Sequence, residues 1–225
     1  MCCLFLAASS TVAIAQTNVV DLVNPIIGTN GMGHTFPGAC VPFGLVQLSP
    51  DTDTIPHNVD GKYQPRSYEY CAGYQHKDSS IIGFSHTHFS GTGHSDLGDI
   101  LIMPTTGTLK LNPGTATNLD GGYRSRFSHD TEISRPGYYE VMLADYGVKA
   151  QLTTTQRVGI HKYTYPTNSE NQRIILDMIH GIYNYDGKVL WTNIRVENDT
   201  LVTGYRITNG WARTNYTYFA MSFSK

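Results

Sequence analysis

Histidines and hydroxyl-bearing side chains crowd into one glycine-rich stretch of the chain, residues 82–100. If residues 84–88 are extended, His86 and His88 project to one face of the strand. This i, i+2 geometry would suit a metal site or a pair of sugar-binding imidazoles. His94 follows closely in the sequence. A metal-dependent hydrolase that uses His86, His88 and His94 is therefore one hypothesis.

Two features of this stretch weigh against metal and phosphate chemistry. Ser90 and Gly91 occupy the positions at which the H-x-H-x-D-H pattern of metallo-hydrolases has Asp and His, so zinc is disfavoured. The Ser-Gly-Thr-Gly run at 90–93 lacks the Lys-Ser/Thr pair of a phosphate-binding P-loop. Asp96 and Asp99 are expected to cap turns through Asx hydrogen bonds.

Two further loop segments carry polar and aromatic groups. One is a glycine-rich loop around His34, whose neutral ring offers one donor and one acceptor. Its ordinary alternative is a tight turn whose ring covers a strand. The other segment holds Tyr68, Tyr70 and Tyr74 within seven residues. Aromatic faces stack on the apolar patches of sugar rings, which suits a carbohydrate, but tyrosines are also common strand residues.

Composition limits the class of protein. The 225 residues include 16 Lys+Arg and 18 Asp+Glu, a formal net charge of −2. This balance argues against a nucleic-acid partner and against a polybasic membrane-surface protein. With 40% hydrophobic and 15% charged residues, the chain can build a core. Its 22 Gly, 10 Pro and 15 Tyr favour β structure rich in turns over a helical bundle.

Residues 1–15 resemble a secretory signal peptide. An apolar run is followed by Ala13-Ile14-Ala15, an A-x-A cleavage site, and the run is too short to cross a bilayer as a helix. A positively charged start is missing, and the alternative is a disordered tail. We expect a periplasmic, secreted or cell-surface protein without a membrane span. Cys40 and Cys71 would remain after cleavage, and their spacing does not show whether they pair.

Short apolar runs bounded by turn residues predict strand after strand beyond the signal. The expected strands are 44–49, 81–85, 100–103, 138–144, 148–165, 174–179, 189–196, 201–207 and 216–222. The pair at 189–207 is expected to form a hairpin, and only residues 18–24 suggest a short helical turn. An all-β fold, an antiparallel two-sheet β-sandwich over residues 16–225, is the simplest architecture.

Six motifs, in order, resemble the N-terminal domain of glycoside hydrolase family 92. They are N-P-I-I-G-T at 24–29, G-H-T-F-P-G-A at 33–39, V-P-F-G-L-V-Q-L-S-P-D at 41–51, Y-C-A-G-Y at 70–74, G-F-S-H-T-H at 83–88 and the run at 90–104. The motifs cover residues 24–104, and the resemblance is weaker beyond. Members of this family are calcium-dependent, inverting exo-α-mannosidases of bacteria that degrade glycans.

The resemblance implies a domain organisation. In this family a β-sandwich precedes a helical linker and a large α/α-barrel, and the active site lies where the two domains meet. The barrel carries the calcium ligands and both catalytic carboxylates. The chain is therefore expected to be a truncated fragment, inactive by itself, whose partner is its own C-terminal barrel. We expect no catalytic residue on it: inverting glycosidases need carboxyl groups about 6.5–9.5 Å apart, which Asp96 and Asp99 could hardly provide.

The sandwich is expected to supply one wall of a pocket for a mannose-containing glycan. The resemblance points to His34, Tyr68, Tyr70, Cys71, His86 and His88 as substrate-binding residues. Many relatives have W-x-W-C-S-G-Y where this chain has tyrosines and Ala72. Tyr keeps a stacking face and adds a hydroxyl, so the linkage preference stays open. The alternatives are a stand-alone carbohydrate-binding sandwich and the metal-dependent hydrolase described above.

Overall fold

The computed structural model of the protein describes residues 18–91, 96–182 and 185–224. The predicted signal peptide and His94 lie outside these residues. The strands are β1 (Ala39–Cys40), β2 (Gln47–Asp51), β3 (Asn58–Val59), β4 (Lys62–Tyr63), β5 (Ser80–Ile81), β6 (Gly83–Ser85), β7 (Leu101–Thr105), β8 (Ser125–Arg126), β9 (Ile133–Arg135), β10 (Tyr138–Leu143), β11 (Val148–Thr154), β12 (Gly159–Thr164), β13 (Arg173–Asp177), β14 (Val189–Asn198), β15 (Leu201–Thr208) and β16 (Asn215–Ser222). Short 3₁₀ helices span Val19–Leu22, Pro65–Tyr70, Leu119–Gly121 and His129–Thr131.

Antiparallel pairing organises these strands into three larger sheets. A five-stranded sheet has the order β1-β2-β6-β7-β13, and a four-stranded sheet has the order β12-β11-β10-β9. The strands β14, β15 and β16 form a third sheet, and β3-β4 and β5-β8 are small ribbons. Because β1 and β2 lie against β11, the first two sheets stack face to face.

Alternation of apolar residues explains the main core. In β10 every second residue is buried, and β11 follows the same pattern, with Val141 directly opposite Ala150. From the other sheet, Phe84 packs between Tyr139 and Tyr163, with ring centroids 6.5 and 6.4 Å away. Val141, Ala150, Phe84 and Tyr139 belong to one buried cluster, and the partly buried Tyr163 packs against it. The predicted antiparallel sandwich is confirmed.

Most of the predicted strands are present, with two instructive differences. The long run predicted at 148–165 is the hairpin β11–β12, closed by a hydrogen bond from Thr155 N–H to the Val158 carbonyl of 2.9 Å. The run predicted at 81–85 is divided between β5 and β6, because Ile82 N–H bonds to the Asp51 carbonyl instead. The hairpin at 189–207 and the helical turn near residue 19 are confirmed.

Buried polar contacts attach the third sheet to the sandwich. Arg206 of β15 is completely buried, with Nε 2.8 Å from Asp99 Oδ1 and Nη1 donating to the His180 carbonyl at 2.6 Å. The Asp96 carboxylate accepts from the backbone N–H groups of Trp211 and Ala212 at 2.6 and 2.7 Å. The two aspartates therefore join distant segments, and the expectation that they cap turns through Asx bonds is wrong.

Among the described residues, none of the helices has the length and apolar character needed to cross a membrane.

A row of hydrogen-bonded histidine and tyrosine side chains crosses the space between the two stacked sheets. His86 Nδ1 lies 2.7 Å from the Ile100 carbonyl and must donate to it, so Nε2 of the neutral ring is an acceptor. His161 Nε2 lies 3.0 Å from that atom and donates, which leaves His161 Nδ1 to accept from the Tyr163 hydroxyl at 2.7 Å. Each hydrogen bond fixes the tautomer of the next ring.

This arrangement keeps both imidazoles neutral. Burial, with a smaller contribution from the charge of His88, lowers the pKa of His86 from 6.5 to about 4. Burial and then the neighbouring His86 lower the pKa of His161 well below its ordinary value. In the unfolded chain these histidines are protonated near pH 6.5, whereas His86 in the folded chain is not protonated until the pH falls to about 4. Stability is therefore lost as the pH falls through this window.

We predict that His161→Gln flattens the pH dependence of stability. The free energy of unfolding of the wild type should decrease as pH falls from 6.5 towards 4, by about 1.4 kcal/mol per pH unit for each ring that stays neutral. The variant removes one such ring, so its slope should be smaller. Urea denaturation at half-unit pH steps measures this. Tyr163→Phe, which keeps both rings, is the control and should retain the wild-type slope. Equal slopes in His161→Gln and wild type would contradict the neutral-ring assignment.

Candidate functional site

A buried carboxylate, Asp51, lies where the motif-bearing loops meet. It is the last residue of β2 and is completely buried. Its Oδ1 accepts from His88 Nε2 and its Oδ2 from His180 Nε2, both at 2.9 Å. Burial by itself would raise the pKa of Asp51, but the charge of His88 and the hydrogen bonds from both rings hold it well below its usual range. The ionised carboxylate thus joins three distant segments of the chain.

The His88 ring is fixed on both sides. Its Nδ1 donates to the Gln47 carbonyl at 2.7 Å, and its backbone N–H donates to the Gln47 side chain at 3.1 Å. Phe36 packs beside the ring, with centroids 5.4 Å apart. Since His88 is only 1% exposed, it supports the neighbouring loops from below and does not itself reach the surface.

Gly73 allows the tyrosine-rich segment to lie directly on Asp51. Its φ of +80° is rarely adopted by side-chain-bearing residues, and a Cβ there would lie 2.1 Å from Asp51 Oδ1 and 3.2 Å from the His88 ring. Its carbonyl accepts from Thr52 N–H at 2.8 Å, and its N–H donates to the Tyr70 carbonyl at 2.8 Å. The Y-C-A-G-Y motif therefore needs glycine at this position, because the backbone of Gly73 lies directly against the Asp51 carboxylate.

A rim of aromatic and polar side chains lies above this support. The His34 ring meets the Tyr68 ring edge-on, with centroids 4.8 Å apart at 83°. The Cys71 thiol donates to the Tyr68 carbonyl at 2.8 Å and is not joined to Cys40. The Cys71 side chain also packs with Ile182 in a small apolar cluster that includes Tyr68. Cys71 is only 1% exposed and therefore belongs to the support, so we call His34 and Tyr68 the rim residues.

His34 carries two marks of a residue held for binding. Its φ is +52°, a left-handed conformation that is uncommon for residues other than glycine. Its Nε2 is buried and has no hydrogen-bond partner among the described residues. An unsatisfied buried nitrogen costs about 1–3 kcal/mol, and strained backbone concentrates at functional sites. Both features are expected where a ligand completes the hydrogen bonding.

Aromatic side chains from other segments lie next to the rim residues. Tyr185 packs against the same apolar cluster as Tyr68, and Lys188 Nζ lies 5.8 Å from the Tyr185 ring centroid. His57 approaches Tyr185 with ring centroids 6.4 Å apart and Tyr63 with centroids 5.1 Å apart. None of these residues was predicted from the sequence, because they come from segments outside the clustered motifs.

Tyr70 and His86, two of the six predicted site residues, lie away from this rim. The Tyr70 ring is 2% exposed, and its hydroxyl donates to both oxygens of Asp78 at 3.0 and 3.1 Å. His86 faces His161 between the two stacked sheets. The remaining four, His34, Tyr68, Cys71 and His88, form the rim and its support. Their contact with a substrate remains a prediction.

The expectation that His86 and His88 project to one face is wrong. It required residues 84–88 to be extended, but β6 ends at Ser85. The two rings consequently turn to different partners, His86 to His161 and His88 to Asp51. Because the two rings contact different partners, they do not form the ligand pair that the metal-hydrolase hypothesis requires.

Asp51 and His180 are the supporting residues that sequence reasoning missed. Asp51 is the last residue of the motif at 41–51, and a carboxylate at the end of an apolar strand is a signal that could have identified it. His180 follows the predicted strand at 174–179 without any such signal. Since 129 residues separate the two, only the folded chain shows that they meet.

Comparison with protein families gives a match over nearly the whole chain. Residues 22–225 match the glycosyl hydrolase family 92 N-terminal domain. A curated relative, described as an uncharacterized secreted glycosidase from Arthroderma benhamiae, is 29% identical over 170 residues. That alignment covers 72% of this chain and 19% of the relative.

Solved structures show the same similarity. A family GH92 α-mannosidase from Bacteroides thetaiotaomicron, in complex with mannoimidazole, is 44% identical with a TM-score of 0.82, over 92% of this chain and 25% of that chain. A family GH92 inverting mannosidase from Bacteroides thetaiotaomicron VPI-5482 is 26% identical with a TM-score of 0.63, over 91% and 25%. The chain thus spans a fifth to a quarter of the length of these relatives.

We predict that Gly73→Ala destabilises the protein by about 2–4 kcal/mol. The added methyl group would be strained at positive φ and would also collide with Asp51, and the two costs add. Chemical denaturation measures the change. Gly61→Ala is a matched control, because Gly61 has a φ of +72° but no atom within 4 Å of the position that a Cβ would take. It should cost only about 1 kcal/mol. Equal losses of stability in the two variants would show that the collision with Asp51 does not contribute to the destabilisation.

Proposed function

Because the chain belongs to glycoside hydrolase family 92, as an N-terminal domain, we propose that it is part of an inverting exo-α-mannosidase. The proposed reaction removes terminal α-linked mannose from a glycan. The rim residues would form one wall of the substrate pocket, and the C-terminal α/α-barrel of the same enzyme would close the pocket from the other side. The family match and the mannosidases among the similar structures support this proposal.

One observation on this chain carries the proposed pocket wall: a buried, unpartnered imidazole nitrogen beside an aromatic ring. His34 Nε2 can exchange a hydrogen bond with a sugar hydroxyl, and the neighbouring Tyr68 ring offers a face for the apolar side of the sugar. Asp51 lies against Gly73 of the tyrosine-rich segment, and His88 packs beside Phe36 of the loop that follows His34. This combination of a few convergent polar groups and an aromatic surface is typical of carbohydrate sites.

The carboxylates near this rim are already engaged, which supports a division of labour between domains. Asp51 binds two histidines, Asp99 pairs with Arg206, and Asp96 binds backbone N–H groups. An inverting glycosidase needs one carboxylic acid to protonate the leaving oxygen and one carboxylate to activate water. In this proposal the barrel supplies both, and the sandwich binds and orients the sugar.

Calcium is proposed for the barrel and not for this chain. Calcium prefers six to eight oxygen ligands. Among the described residues, the group of three side chains close enough to share an ion is His76, His129 and Glu132, and two of its donors are nitrogen atoms. This donor set does not fit calcium, so none of the steps proposed here passes through that ion.

An exposed aromatic face supports docking of the barrel. Across the third sheet Trp191 lies opposite Ile207, which lies opposite Tyr216, and Tyr205 lies opposite Tyr218 with ring centroids 5.5 Å apart. Trp191, Tyr216 and Tyr218 are each more than half exposed. Exposed apolar patches of this kind mark interaction surfaces. The proposed occupant is the remainder of the same enzyme.

The proposed enzyme is exported, with residues 1–15 as its signal. The secreted glycosidase among its relatives supports this location. Periplasmic and extracellular destinations are both compatible with such a signal.

We predict that His34→Ala in the full-length enzyme lowers kcat/KM for an α-linked mannobiose about tenfold, since one hydrogen bond to the sugar is lost. The melting temperature should change little, because Nε2 has no partner to lose within the described chain. Lys162→Ala, at an exposed side chain of β12 outside the rim, is the control and should leave kcat/KM unchanged.

Two outcomes would overturn the proposal. Unchanged kcat/KM with a lowered melting temperature in His34→Ala would show that His34 is a structural residue. A full-length wild-type enzyme that binds mannosides but releases no mannose would favour a carbohydrate-binding module instead.

A further inference from the structure

Two imidazoles and a carboxylate that are not among the rim residues meet at the surface of the protein. The ligand atoms of His76, His129 and Glu132 all lie within 4.8 Å of one another. The two rings are nearly stacked, with centroids 3.9 Å apart and planes at 34°. His129 Nδ1 also lies 2.6 Å from Glu132 Oε2. The segment before β5 and the turn before β9 are thereby brought together.

The carboxylate of this group is built into the core. The Glu132 side chain is 3% exposed, whereas His129 lies on the surface. Tyr139 donates to Glu132 Oε1 at 2.6 Å, and Tyr74 donates to its two oxygens at 2.9 and 3.0 Å. Both phenols belong to the main core cluster, so they fix the orientation of the carboxylate. Metal-binding carboxylates are oriented in the same way by hydrogen bonds from outside the ligand set.

The charge balance of the group favours a cation. Within the described part of the chain, Glu132 forms its ion pair with His129, and no Lys or Arg is paired with it. A divalent cation would bind both neutral imidazoles and compensate the buried carboxylate at the same time.

We propose that His76, His129 and Glu132 bind a divalent transition-metal ion, and that zinc is the metal they fit best. Two imidazole nitrogens and one carboxylate oxygen form a common zinc donor set, with a fourth position left to solvent. Tetrahedral zinc needs ligand atoms about 3.4 Å apart, and the present separations are within 4.8 Å, so the widest must shorten by at most about 1.4 Å. Rotation of the exposed His129 side chain can supply this movement.

The bound ion would act as a structural link. His76 is anchored through its N–H to the Thr29 carbonyl at 2.8 Å, and Glu132 is anchored to the core by its two phenols. Zinc would therefore tie the first motif loop to the turn before β9. This role does not depend on the proposed mannosidase activity.

The test is zinc titration of the untagged, EDTA-treated protein, followed by calorimetry and by thermal unfolding. We expect one zinc per chain and, at zinc a hundredfold above its dissociation constant, a rise in Tm of about 5–10 °C. Substituting cobalt(II) should give the visible absorption bands of a tetrahedral site. His76→Ala and His129→Ala should each weaken zinc binding at least tenfold, which reduces the rise in Tm at the same zinc concentration to about half or less.

Controls separate loss of the site from loss of the fold. His57→Ala removes a histidine outside the group and should bind zinc like the wild type. The His76→Ala variant should match the metal-free wild type in circular dichroism and in Tm measured with EDTA. His129→Ala also removes the ion-pair partner of Glu132, so it should keep the circular dichroism spectrum but have a lower Tm in EDTA. Glu132→Gln keeps the shape of the side chain but removes its charge, and it should also weaken zinc binding.

A Tm of the wild type that does not respond to zinc would overturn the proposal. So would zinc binding that persists unchanged in both His76→Ala and His129→Ala, because it would show coordination at other surface residues. Either result would leave the mannosidase proposal intact, since that proposal depends on kcat/KM of the full-length enzyme.

Discussion

The buried, ionised side chain of Asp51 restricts the positions of the segments that pack around it. Asp51 is buried between His88 and His180, and an unpaired buried charge would cost several kcal/mol. Both histidines must therefore stay in place, and with them the loop after β6 and the segment after β13. Gly73 must remain small enough to lie on the carboxylate. The position of the rim follows from this one ion-paired group.

The rim differs chemically from its support. Asp51 and His88 have their hydrogen bonds satisfied within the chain, whereas His34 has a strained backbone and an unpartnered ring nitrogen. A satisfied network makes a rigid base, and the unsatisfied group above it can bind a ligand. The buried ion pair between Arg206 and Asp99 fixes the third sheet, whose aromatic face remains exposed. This distribution is consistent with a domain that positions a sugar and leaves proton transfer to another domain.

Local patterns predicted the sandwich well, because alternation of burial is a property of neighbouring residues. The alternating strands β10 and β11 and the hairpin at 189–207 were identifiable for this reason. The ordered motifs indicated the family. The contacts of the site were less predictable, since Asp51 meets His180 across 129 residues and Asp96 meets Trp211 across 115. The directions of the His86 and His88 rings could not be predicted from their spacing, because β6 ends at Ser85, before either residue.

The central claim, that the Asp51 charge holds these loops together, is tested most directly by the unfolding free energy of Asp51→Asn. The amide has nearly the same shape but no charge, so each histidine loses its ionic partner. Urea denaturation at neutral pH should show a loss of about 3–5 kcal/mol, the cost of breaking a buried ion pair from one side. A variant within about 0.5 kcal/mol of the wild type would contradict this account of the site.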